Sequence, residues 1–131
     1  MEHPLIGVWS VEVREAGKPH VERVTHAYHP DGLMSIAAAT YAAQGAWAAT
    51  GERSATVAAL LPIPPGEGFS GWLTLQASVQ VADDDGAFQM DATVDRPTPS
   101  GVAAQHSATL VAKRFTAVAP TKGPQPTARR G

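Results

Sequence analysis

The chain contains no cysteine. That excludes a disulfide scaffold, a thiol nucleophile and thiolate metal sites, and it fits a reducing compartment. Net charge is also lacking: acids and bases are spread along 131 residues and sum to -2 at neutral pH. No basic face for nucleic acid or an anionic membrane surface follows from such a distribution. No apolar run approaches the roughly 18 residues of a membrane-spanning helix. Only four residues precede the first apolar stretch, too few for the charged and apolar regions of a signal peptide. The expectation is a cytoplasmic protein without nucleic-acid or membrane partners. Long helices are disfavoured as well, because 12 glycines and 11 prolines interrupt the many alanines.

What is present alternates. Leu5 to Val13 opens with Gly7-Val8-Trp9 and reads as a first strand. Turn chemistry at Ala16-Gly17-Lys18-Pro19 leads to a second, His20 to His29. Pro30-Asp31-Gly32 introduces a third, Leu33 to Tyr41. Gln44 to Thr50 and Arg53 to Leu61 supply a fourth and a fifth, and the Pro/Gly-rich loop at 63–68 is a candidate pocket rim. The clearest period of two runs from Phe69 to Val81, with Leu73, Leu75, Ala77, Val79 and Val81 on one face. Asp83-Asp84-Asp85-Gly86 turns the chain into a seventh strand carrying Phe88, Met90, Ala92 and Val94. The spacing of these aspartates departs from a calcium loop, and no metal site is expected. Val102 to Phe115 is the eighth strand. One domain over residues 1–118 is expected, followed by a disordered tail at 119–131 with polar, Pro-rich composition.

Eight antiparallel strands with one apolar face each can hide those faces by closing into a barrel. Placing the more apolar face inward puts Ala37, Ala39, Ala77, Ala92, Ala104, Ala108 and Ala112 inside with Val11, Val13, Val24, Leu73, Leu75, Phe88 and Met90. So many alanines leave space, and an internal cavity is expected. Gly7-Val8-Trp9 on the first strand and Arg114 on the last resemble the calycin, or lipocalin-like, pattern. The resemblance implies an all-β, closed eight-stranded antiparallel lipocalin-like barrel, with Trp9 closing one end and Arg114 packed over its indole. Entry would then be from the opposite end.

Polar residues whose parity points inward are the candidates for chemistry. His26 and Tyr28 share a face with Val24, and His106 shares one with Ala108. Since the second, first and last strands are neighbours in a barrel, these three are expected to converge as acid/base groups. Tyr41 and Trp47 are candidates for the cavity mouth, Phe88 and Met90 for its lining, and Arg53 for a ligand carboxylate. A zinc site at His20, His26 and His29 is disfavoured by strand parity. The expected function is binding of a small hydrophobic molecule without a cofactor. The alternative is a cofactor-independent cyclase or isomerase acting on a polyketide- or terpenoid-like intermediate. A homodimer is the assembly kept open.

Overall fold

The structure is a computed structural model and describes residues 2–62, 72–97 and 104–116. The expected loop at 63–68 and the tail at 119–131 lie outside the described residues. Eight strands follow in order: β1 (Gly7–Glu15), β2 (Glu22–Tyr28), β3 (Leu33–Ala37), β4 (Ala42–Ala49), β5 (Ser54–Pro62), β6 (Trp72–Val81), β7 (Ala87–Arg96) and β8 (Ala104–Phe115). Each pairs antiparallel with the next, and β8 returns to pair with β1, closing the barrel.

Two turns show how the sequence sets the register. After β2, His29 N–H donates to Leu33 O (2.9 Å), and Gly32 takes a φ of 90° that favours glycine. The Asp31 carboxylate accepts from Leu33 N–H at 3.1 Å, an Asx turn that starts β3. Between β6 and β7, Ala82 N–H donates to Ala87 O (2.9 Å), and Asp84 accepts from Gly86 N–H (2.9 Å). Asp85 sits at a φ of 62°, a conformation that aspartate tolerates better than most residues.

Side chains alternate across the wall as a pleated sheet requires. Val11, Val24, Leu73, Leu75, Phe88, Met90, Ala92, Ala108 and Ala112 are buried, as their parity indicates. β3 departs from the expected pattern. It stops at Ala37, because Ala38 N–H already donates to Tyr41 O (2.9 Å) in a tight turn. Met34 and Ile36 face the core, so Ala37 and Ala39 are exposed rather than inside. The larger apolar side chains claim the interior. On β4 the inward position opposite Ala59 is Gly45, where a Cβ would stand 2.2 Å from Ala58 O. Only glycine fits that approach.

Candidate functional site

One end of the barrel is sealed. Trp9 and Leu5 have no solvent exposure, and the indole Nε1–H donates to Leu5 O at 2.9 Å. Arg114, paired with Trp9 across the β1–β8 seam, holds its guanidinium carbon 4.2 Å from the indole centroid. This is cation–π geometry. The same side chain donates to Asp85 O (2.8 Å), Ile6 O (3.0 Å) and Pro4 O. Gly7 is required where the two meet: its φ is 136°, and a Cβ there would lie 2.7 Å from the Arg114 guanidinium.

The segment before β1 completes the seal. Leu5 N–H donates to His3 Nδ1 (3.1 Å), so the neutral ring carries its proton on Nε2 and reaches Gly51 O (3.0 Å) and Ser54 O (3.1 Å). His3 also packs against Trp47 with ring centroids 5.4 Å apart. Nothing in residue pattern marked His3 or Leu5 for this role beyond the apolar character of Leu5.

Level with the seal sits a buried polar pair. His26, level with Trp9 on the neighbouring strand, is 1% exposed, and its Nδ1 lies 2.8 Å from the Tyr28 hydroxyl. Phe88 packs near both, with ring centroids 6.3 Å from His26 and 6.1 Å from Tyr28, and 4.8 Å from Trp9. Burial pushes the His26 pKa down to about 4, so the imidazole is neutral at physiological pH. Burial raises the Tyr28 phenol well above its usual range. Among the described residues, no hydrogen-bond partner reaches His26 Nε2.

The other expected members lie elsewhere. His106 does not join His26 and Tyr28. It pairs with Val94 eight residues back from Arg114 on β8, roughly 26 Å along the strand, and is exposed. Strand parity says nothing about height in the barrel. Trp47 is at the sealed end rather than at the mouth, donating its Nε1–H to His29 O (2.8 Å). Arg53 is committed to the β6–β7 turn through Ala82 O and the Asp85 carboxylate. Its cation therefore braces a turn and faces no interior ligand. Phe88 and Met90 are core residues at 3% and 0% exposure.

Toward the opposite end the inward side chains of the described residues are less completely buried. Val13, Tyr41, Leu61, Ala77 and Val94 have inward parity yet are only partly buried. Ala77 is the informative one, because it lies mid-strand between Val57 and Ala92, both buried. It is less completely buried than either neighbour. Glu22, exposed on the same side, faces Tyr41, whose pKa is pushed up to about 12 by burial and then by the Glu22 charge. A separate recess of about 1020 Å³ lies on the outer wall, lined by outward residues such as Ser10, Glu12, Gln80, Gln89 and Lys113. It is not the internal space that the alanines implied. There Glu12 accepts from Arg14 (3.2 Å) and Arg23 (2.9 Å), which hold its carboxyl below the usual range.

No family model matches the chain, and no curated protein matches it. Among solved structures, the chain is similar to EF1p2_mFAP2b bound to DFHBI, with a TM-score of 0.64 at 14% identity. The likeness covers 86% of this chain and 94% of that one. No helix among the described residues is long and apolar enough to cross a membrane. The likeness is one of fold, a closed eight-stranded antiparallel barrel.

Proposed function

We propose that this barrel takes up a small, mostly apolar molecule through the end opposite Trp9. The observation that carries the reading is the contrast between the two ends. One is closed by Trp9, Leu5 and Arg114, while Ala77, Val13, Leu61 and Val94 keep accessible apolar surface on the inward face toward the other. A concave apolar lining with few polar groups is what such ligands require. Similarity to a barrel whose solved structure holds DFHBI supports the capacity of this architecture for a small molecule.

Acid/base catalysis by His26, Tyr28 and His106 acting together has no geometric support, because His106 stands at the far end of its strand. The cyclase or isomerase reading therefore rests on the cavity alone. Titration of the full chain with N-phenyl-1-naphthylamine, a neutral apolar fluorophore, tests the binding reading. Saturable enhancement at one probe per chain is the expected result. Absence of saturable binding by this probe and by DFHBI would overturn it.

A further inference from the structure

His26 uses half of its hydrogen-bonding capacity. It is the buried polar side chain of the described core, at 1% exposure, and Tyr28 occupies Nδ1. Two arrangements of that bond exist. If Nδ1–H donated to the phenol oxygen, both the phenol proton and the Nε2 lone pair would lack partners. If the phenol donates to Nδ1, only Nε2–H is left over. The second leaves fewer orphaned groups and is favoured, since each buried unsatisfied donor or acceptor carries a desolvation cost. An orphaned N–H in this place calls for an explanation, because natural cores rarely keep one.

We propose that His26 Nε2–H, oriented by Tyr28, is the deep recognition donor of the ligand site, and that it selects a neutral planar molecule bearing a carbonyl oxygen at its leading end. The inference rests on the reading that the barrel takes up an apolar molecule. Planarity follows from Phe88 and Tyr28, whose rings pack near the imidazole, with the Trp9 indole against Phe88. Neutrality follows from charge: Arg114 is spent on the Pro4, Ile6 and Asp85 carbonyls beneath the indole, and Arg53 on Ala82 O and the Asp85 carboxylate. A carboxylate beside an uncharged imidazole would be buried without a counter-ion, at high cost. The low pKa of His26 keeps the donor neutral across the physiological range. Met34 and Met90 pack in the same core. Their unbranched side chains let the interior remodel as a ligand descends.

The test uses two probes of one shape, 2-acetylnaphthalene and 2-ethylnaphthalene, titrated into the full chain and into His26→Phe. Infrared spectra of the bound ketone accompany the titrations. The expected result is that the ketone-to-hydrocarbon affinity ratio falls about tenfold in the variant, as loss of one buried hydrogen bond implies. The carbonyl band should lie at lower wavenumber in the wild type than in an alkane solvent, and Tyr28→Phe should weaken that shift without changing the hydrocarbon affinity. An unchanged ratio overturns the inference and leaves apolar uptake intact. Failure of both probes to bind the wild type removes the uptake reading and the inference with it. Should His26→Phe not fold, the wild-type band decides: a carbonyl at its alkane position overturns the proposal.

Discussion

Trp9 is held on three sides: by Leu5 O at its Nε1, by Phe88 at its edge and by the Arg114 guanidinium over its face. Removing such a side chain leaves a cavity that β-strands cannot collapse around. Trp9→Ala is expected to destabilise by about 3–5 kcal/mol in urea unfolding, and a loss below about 1 kcal/mol would contradict the seal. His26 makes stability depend on pH. An unfolded chain takes up the imidazole proton as pH falls through the ordinary value of 6.5, whereas the folded one resists until about 4. The contribution is therefore intact above pH 6.5, is lost progressively between 6.5 and 4, and is flat below. The loss is on the order of 3 kcal/mol. Unfolding free energies measured across that window should lose this component in His26→Phe. The Trp9–Arg114 pair was legible because a motif and strand parity agreed on it. The His26–Tyr28 contact was half legible: parity placed both side chains inward, while the separation from His106 depends on register along the strand, which alternation does not encode.

The short segment ahead of β1 behaves as a plug. Residues 3 to 6 supply the fully buried Leu5, the acceptors for Trp9 and Arg114, and the His3 ring that reaches the β4–β5 turn. A chain beginning at Gly7 should lose on the order of 3 kcal/mol, from the buried leucine together with the orphaned indole and guanidinium donors. Chemical denaturation of the two forms side by side measures this, and equal midpoints would rule the plug out. The strands themselves were well marked by alternation and by Asp-Gly turns, as at Asp84-Asp85-Gly86 before β7. β3 was not, because alanine suits either face and Leu33-Met34-Ser35-Ile36 can be read in both parities. Packing volume chose Met34 and Ile36. Trp47 was misplaced for a related reason: a large aromatic near a strand end looks the same at either end of a barrel, and only the register of β4 against β5 assigns it.

At the level of the whole barrel, inside and outside can be separated by experiment. Ala77 faces inward with residual exposure, and Ala58, on the adjacent strand, faces outward. Ala77→Leu should weaken binding of N-phenyl-1-naphthylamine about tenfold, equivalent to about 1.4 kcal/mol, whereas Ala58→Leu should leave it unchanged. Equal effects would place the probe on the outer wall.

The closing seam has a further meaning. Seven of the eight pairings join consecutive strands, and only β1 with β8 brings together segments about a hundred residues apart, as in the bond from Arg114 to Pro4. A sheet of seven hairpin-like pairings could form without that seam, but it would present two bare strand edges to solvent. Such edges recruit strands from other chains. By crossing from β8 beneath Trp9 to the plug, Arg114 latches the one junction whose opening would turn this barrel into a template for its own aggregation.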